Sequence, residues 1–103
     1  MNKEMPSVLN RFRSAKNGEY TISVATFSNE NNAQRFVSSR FNKDVEILSF
    51  TIEQDGIHYT KVIYGIFKSK EKARRALVKL GKFLSLEHGM RVKNIGKFKK
   101  YFL

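Results

Sequence analysis

Apolar and polar positions alternate along residues 20–26 and then change to helical spacing. Ile22 and Val24 fall on one face of an extended strand, while Thr21, Ser23 and Ala25 fall on the other. A polar turn follows, in which Ser28 or Asn29 is placed to cap a helix. The apolar residues of that helix form one stripe, at Ala33, Phe36, Val37 and Phe41. The pattern predicts a half-buried strand followed by an amphipathic helix.

The same pattern returns forty residues later. A second alternating run over residues 57–66 ends at Phe67, as the first ends at Phe27. Ser69 follows as a helix cap, and the next apolar stripe consists of Ala73, Ala76, Leu77, Leu80 and Leu84. In the second run, Val62 and Tyr64 share one face and Tyr59, Lys61 and Ile63 share the other. Self-similarity at a fixed offset indicates one strand-helix unit used twice.

Two further strands complete the predicted fold. Residues 45–52 are rich in β-branched and aromatic residues, and the Asp55-Gly56 pair after them predicts a tight hairpin. A fourth strand is predicted at about 90–95. The order β-α-β-β-α-β predicts an α+β fold, with a four-stranded antiparallel sheet and both helices on one face. The opposite face is expected to be open, and ligand binding is expected there.

The 103 residues predict a single domain with two flanking segments. Residues 1–18 are interpreted as a flexible or loosely docked leader, in which Val8, Leu9 and Phe12 can form one helical turn. Residues 19–96 form the domain, and residues 97–103 form a basic-aromatic tail. No stretch is long and apolar enough to span a membrane, and residues 1–16 lack the apolar region of a secretory signal.

The charge balance favours an anionic partner. The chain has 20 Lys and Arg against 9 Asp and Glu, a formal net charge of +11. The electrostatic field of such a positive net charge attracts nucleic acid, anionic lipid or carboxylate-bearing polymers such as cell-wall glycan. A basic surface that is only solvated is the alternative. The absence of cysteine excludes disulfides, thiolate chemistry and Cys-ligated zinc.

No catalytic or metal-binding pattern is evident, and we expect no enzyme activity, cofactor or metal. His58 and His88 are thirty residues apart, without the acidic or cysteine spacing of a metal site. The acidic residues near the hairpin base and tip are typical of solvated turns: Asp44, Glu46, Glu53 and Asp55. The chain has no Gly-rich phosphate loop and no Ser-His-Asp order.

Residues 19–95 resemble the SPOR (sporulation-related repeat) domains, which bind bacterial peptidoglycan. The family's first strand reads Tyr-x-Val-Gln-Val-Gly-Ser-Phe, and residues 20–27 read Tyr-Thr-Ile-Ser-Val-Ala-Thr-Phe. Its second half reads Tyr-x-Arg-Val-x-Val-Gly-Pro-Phe before Ser and a Glu-x-Ala helix start. Residues 59–67 match that run, with Gly65 and Phe67 in place, and residues 69–73 match the helix start. The chain departs from the family pattern at Ser23, Ala25, Ile66 and Met90-Arg91.

The resemblance implies a ferredoxin-like or RNP-like fold and a non-catalytic module. SPOR domains recognise glycan strands lacking stem peptides, usually at the division septum. Removing a stem peptide frees the lactyl carboxylate of muramic acid, so the ligand becomes a polyanionic sugar chain. The implied role is to target a cell-envelope or division protein to the septum. The implied localisation is periplasmic or cell-envelope within a longer exported protein, or cytoplasmic if this is the full-length chain. We expect a monomer.

Carried over by position, the resemblance implies glycan-binding residues on three strands and one turn. They are Ser23, Thr26, Ser28, Asn29, Tyr59, Lys61, Ile63, Arg91 and Lys93. Lys61, Arg91 and Lys93 would meet carboxylates, and hydroxyls and the Tyr59 ring would contact the sugar. Each of these residues also has a purely structural alternative. In that alternative, Ser23 and Thr26 are ordinary strand positions, Tyr59 is a packing partner across strands, and the Lys and Arg side chains are solvated surface groups.

Two other functions remain open. RNA-recognition domains share this topology and stack bases on aromatic side chains, for which Tyr59, Tyr64 and the tail are candidates. Against this, Tyr64 falls on the helix-covered face. A protein-docking module is the second alternative, and an exposed apolar patch at Leu48, Phe50 and Ile63 would favour it. The glycan hypothesis requires an open sheet face, and a leader or tail lying across that face would contradict it.

Overall fold

The structure is a computed structural model that describes residues 4–42, 45–84 and 89–102, with side chains described from Val8 onward. Asp44 and His88 lie outside the described residues. The elements are, in order, α1 (Glu4–Ser14), β1 (Tyr20–Phe27), α2 (Glu30–Arg40), β2 (Ile47–Gln54), β3 (Ile57–Phe67), α3 (Lys70–Leu84), β4 (Arg91–Asn94), a 3₁₀ turn (Ile95–Lys97) and α4 (Lys99–Phe102).

The four strands form one antiparallel sheet in the order β2-β3-β1-β4. The α+β fold predicted from the sequence is confirmed. β2 and β3 are joined through Asp55 (φ 54°) and Gly56 (φ 79°), the left-handed pair that an Asp-Gly hairpin supplies. Gly65 within β3 also has a positive φ, of 78°, and a Cβ there would lie 2.5 Å from the Phe67 ring. This explains why glycine suits the position.

Helices α2 and α3 cover one face of the sheet, as predicted. Asn29 accepts a hydrogen bond from the Asn32 backbone N–H at 2.9 Å, and Ser69 accepts one from that of Lys72 at 3.2 Å. Each cap satisfies a free donor in the first helical turn. The core of this layer comprises Ile22, Val24, Ala33, Val62, Leu80 and Leu84.

The opposite face is not open, which corrects the sequence-based expectation. α1, the 3₁₀ turn and α4 pack against it and form a second apolar core. Phe12 of α1 is fully buried and meets the Phe102 ring edge-on, with centroids 6.1 Å apart. Phe50 of β2 contacts the rings of Phe98, Tyr101 and Phe102. The molecule therefore has three layers, with the sheet in the middle.

Polar contacts tie the two terminal segments together. Arg13 donates its Nε–H to the Phe102 carbonyl at 2.6 Å, and the Lys99 ammonium donates to the Ala15 carbonyl. Arg11 forms an exposed ion pair with Glu46, at 2.7 Å. Within the leader, Glu4–Ser14 thus forms an 11-residue helix packed on the sheet, longer than the single turn expected from Val8, Leu9 and Phe12.

Candidate functional site

A polar region remains on the sheet face that α1 and α4 occupy. Both helices pack on β2, and the polar residues lie on β3, β1 and β4. We call this region the polar strip. It consists of Ser23, Thr26, Lys61, Arg91 and Lys93. Thr26 and Arg91 are exposed, Lys61 and Lys93 are partly buried, and Ser23 is buried.

The centre of the polar strip is the Lys61 ammonium. It donates a hydrogen bond to the Thr26 hydroxyl at 3.0 Å and approaches the Ser23 hydroxyl at 3.5 Å, the outer limit for such a bond. The two hydroxyls belong to β1 and the ammonium to β3. Their contact joins neighbouring strands through polar groups on the surface of the sheet.

A β-bulge in β1 brings Ser23 and Thr26 to the same face. Strict alternation places residues 23 and 26 on opposite faces. Ser23 pairs with Ile63, but Ala25 pairs with Val62, so β1 has one extra residue at this point. Ala25 consequently packs in the core under α2 and α3, not on the face predicted for it.

The β4 cations are placed on this face by strand register. Arg91 pairs with Ser23, and Lys93 pairs with Thr21. Residues directly opposite in an antiparallel pair project to the same side. Thr21 itself is fully buried and donates its hydroxyl to the Tyr64 carbonyl at 3.1 Å. The register thus puts both β4 cations on the same face as Lys61, and the charge of Lys93 acts on the Lys61 ammonium.

The electrostatics of the polar strip favour an anion. Partial burial, and next the positive charge of Lys93, lower the pKa of Lys61 from its ordinary value of 10.5. The ion pairs in the described part of the chain are Arg11–Glu46 and Arg75–Glu71, so no strip cation has an acidic partner there. A carboxylate bound at this point would compensate charges that now repel each other.

The remaining predicted site residues have different surroundings. Tyr59 is half-buried and lies on the same face as Lys61, nearer the hairpin. Ser28 is exposed after β1, and the Asn29 side chain is engaged as the α2 cap. Ile63 is fully buried in the core beneath α1 and α4. The expectation that Ile63 contacts a ligand is therefore corrected, because the two helices cover it.

The burial of several residues argues against the two alternative functions, protein docking and RNA binding. Leu48, Phe50 and Ile63, whose exposure would favour a protein-docking module, are buried. Tyr64 packs on the side of α2 and α3, as predicted, where its ring lies 5.9 Å from that of Phe41. The tail residues Phe98 and Phe102 are buried, so their rings are not available to stack on bases, whereas Tyr101 is partly exposed and stacks on Phe50.

Within the described ranges, no three His, Cys, Asp or Glu residues are grouped as a metal site requires. None of the helices described is both long and apolar enough to cross a bilayer. The side chains of the polar strip carry hydroxyl, ammonium and guanidinium groups, which bind anions and polar polymers by hydrogen bonds and charge.

Comparison with protein-family models identifies a domain that covers most of the sheet and both helices of its first face. A protein-family model described as SPOR domain matches residues 16–85, more than half of the chain. No protein of curated function matches the sequence. The matched range includes β1, α2, β2, β3 and α3, and it excludes α1, β4 and α4. Most of the helical cover on the second sheet face therefore comes from segments outside the matched region.

Proposed function

The chain belongs to the SPOR domain family, a binding family known for peptidoglycan, and from this premise we propose a specific ligand. It is a non-catalytic module that binds glycan strands lacking stem peptides through the polar strip. The observation that carries the proposal is the partly buried Lys61 ammonium, held between two hydroxyls and beside a second cation. Such a group has more to gain from a carboxylate than a freely solvated lysine has.

The chemistry of the ligand matches that of the polar strip. A denuded glycan strand presents lactyl carboxylates at intervals along a chain of hydroxyls and N-acetyl groups. Lys61, Arg91 and Lys93 bind the carboxylates, while Ser23 and Thr26 exchange hydrogen bonds with sugar oxygens. The half-buried Tyr59 ring extends this surface towards the hairpin.

Helices α1 and α4 limit the area of the sheet face that a glycan can contact. The leader and the tail lie across the part of this face over β2, so the hypothesis of a fully open binding face, stated from the sequence, is wrong. A saccharide cannot lie across the whole sheet face, and the proposal is limited to the polar strip. The polar strip crosses three adjacent strands, about 10 Å at the usual strand spacing. The ligand contact is accordingly a short segment of glycan, bound along β3, β1 and β4.

The cellular role that follows is recruitment. SPOR domains occur in cell-envelope and division proteins. Binding to denuded glycan would target a larger protein to the septum, where stem peptides are removed. The domain contributes location, and any chemistry belongs to the rest of such a protein.

Co-sedimentation with intact and amidase-treated sacculi tests the proposal. Lys61→Glu and Arg91→Glu are each expected to weaken binding to the treated sacculi by about tenfold, since each replaces a charge-assisted hydrogen bond with repulsion. Lys79→Glu on α3 is the matched control, because it makes the same charge change on the other side of the sheet. Equal sedimentation of all three variants with the parent would refute the proposed site.

A parallel binding measurement with RNA distinguishes glycan binding from nucleic-acid binding. Single-stranded RNA is added at two salt concentrations in place of the sacculi. Preference for treated sacculi over RNA supports the glycan proposal. Tight RNA binding with a steep salt dependence, and no preference for treated sacculi, would support nucleic-acid binding instead.

A further inference from the structure

Helix α3 carries a row of cations on its outer side. Lys72, Arg75, Lys79 and Lys82 follow one another at spacings of three, four and three residues. This spacing puts them on one face of a helix, and all four are exposed. The buried side of α3, at Ala73, Leu80 and Leu84, packs on the sheet. The row of cations therefore faces away from the body of the protein.

The row is not neutralised within the helix. α3 has six Lys or Arg residues and one acidic residue, Glu71. The Glu71 Oε1 atom lies 3.6 Å from the Arg75 Nη2 atom, and both side chains are about three-quarters exposed. Like charges three or four residues apart destabilise a helix. The exposed pair with Glu71 compensates little of this repulsion, and an external anionic surface would compensate much more.

Two large apolar side chains lie at the two edges of this row of cations. Val78 is 57% exposed and lies three residues after Arg75 and four before Lys82. Phe83 is 65% exposed and lies four residues after Lys79. The Phe83 ring touches that of Phe41, with centroids 6.1 Å apart, and still leaves most of its surface in solvent. Cations and exposed apolar groups are thus neighbours on the exposed surface of one helix.

We propose that the outer face of α3 docks on an anionic phospholipid bilayer. Lys72, Arg75, Lys79 and Lys82 would meet headgroup phosphates, and Val78 and Phe83 would enter the boundary between headgroups and acyl chains. A bilayer explains both features of the face. A nucleic-acid backbone or an acidic polymer compensates the cations but gives no apolar environment to Val78.

The docking surface is separate from the polar strip. α3 packs on one face of the sheet, and Lys61 lies on the other. Both surfaces are consequently accessible at the same time, and the lipid proposal does not depend on glycan binding. Each is tested by variants that leave the other unchanged.

Vesicle co-sedimentation tests the lipid proposal. The intact chain is mixed with phosphatidylcholine vesicles that contain or lack phosphatidylglycerol, at low and high salt. Binding is expected only with phosphatidylglycerol and is expected to weaken with salt. The double variant Lys79→Glu/Lys82→Glu is expected to lose about tenfold or more in vesicle affinity. Lys16→Glu/Lys97→Glu changes the net charge equally outside α3 and is expected to retain most of the binding.

The apolar contribution requires its own variants. Val78→Ser and Phe83→Ser are each expected to weaken vesicle binding several-fold without a change in net charge. Val78 makes the cleaner test, because Phe83 also packs on Phe41. If the Lys79/Lys82 variant and its control bind equally, α3 is not the docking face. If Val78→Ser binds like the parent, or RNA binds more tightly than vesicles at both salt concentrations, a bilayer is the wrong partner.

Discussion

At the residue scale, the environment of Lys61 gives it properties that its position in the sequence does not reveal. Any exposed lysine carries a positive charge at neutral pH. The Lys61 ammonium is partly buried and donates a hydrogen bond to the Thr26 hydroxyl. Its burial, and next the positive charge of Lys93, lower its pKa from 10.5. A partly buried positive charge beside another is unfavourable, and such groups occur at functional sites where a ligand or a partner compensates the charge.

The lowered pKa of Lys61 makes folding stability depend on alkaline pH in a defined direction. Between the lowered pKa and 10.5, the unfolded chain binds more protons than the folded one, so the free energy of unfolding rises with pH. Replacement by an uncharged residue removes this contribution. The stability of the parent relative to Lys61→Met is expected to increase from neutral pH towards 10.5.

Urea denaturation of both proteins across this pH range measures the difference. The other lysines titrate in both proteins and largely cancel when the two curves are subtracted. A difference that is independent of pH, or that falls as pH rises, would contradict the burial and charge repulsion assigned to Lys61.

At the element scale, α1 and α4 change the character of the second sheet face. The apolar residues of the two terminal segments that contain these helices have helical spacing in the sequence, with Val8, Phe12 and Ala15 in one segment and Ile95, Phe98 and Phe102 in the other. That spacing is a usable signal for two short helices. It does not reveal where they pack, because an amphipathic stripe specifies only that it is buried.

Phe12 is expected to be a major contributor to the packing of α1. Its side chain is fully buried against the sheet and Phe102. Phe12→Ala is therefore expected to lower the free energy of unfolding by about 3–5 kcal/mol. Chemical denaturation measures the change.

Val78→Ala is the matched control for Phe12→Ala. Val78 is 57% exposed, and its truncation is expected to change stability by no more than about 0.5 kcal/mol. If Phe12→Ala is as mild as Val78→Ala, α1 is not packed on the sheet as described. The polar strip would then be wider than proposed.

At the scale of the whole molecule, two basic surfaces lie on opposite sides of one sheet. The polar strip lies on the face shared with α1, and the row of cations on α3 faces outward from the other layer. The polar strip contains three cations and the row on α3 contains four, out of 20 Lys and Arg residues in the chain. This arrangement suits a module that binds two anionic surfaces at once.

If both proposals hold, the chain is expected to bridge its two ligands. Fluorescent vesicles containing phosphatidylglycerol should co-sediment with amidase-treated sacculi only in the presence of the protein. Lys61→Glu and Lys79→Glu/Lys82→Glu should each abolish most of this bridging, since either end of the contact is then weakened. Bridging that survives in both variants would show that the two surfaces are not the sites of contact.

Much of the fold followed from local pattern. The four strands, two capped helices and the Asp55-Gly56 hairpin correspond to short-range features of spacing and turn chemistry. The strand faces were right at Val62, Tyr64 and Ile63, but wrong at Ala25. A β-bulge shifts the alternation of side chains there, and the residue types between positions 22 and 26 give no signal for the extra residue.

The sequence by itself determined the strand-helix repeat, the family and the excess of positive charge, because period, caps and turns are local properties. Only the tertiary structure decided which face α1 and α4 cover, that Ile63 is buried, and that Ser23 and Thr26 meet at Lys61. These outcomes depend on register and on packing between segments distant in sequence. Such contacts are set by the shape and burial of the whole molecule, which no local pattern encodes.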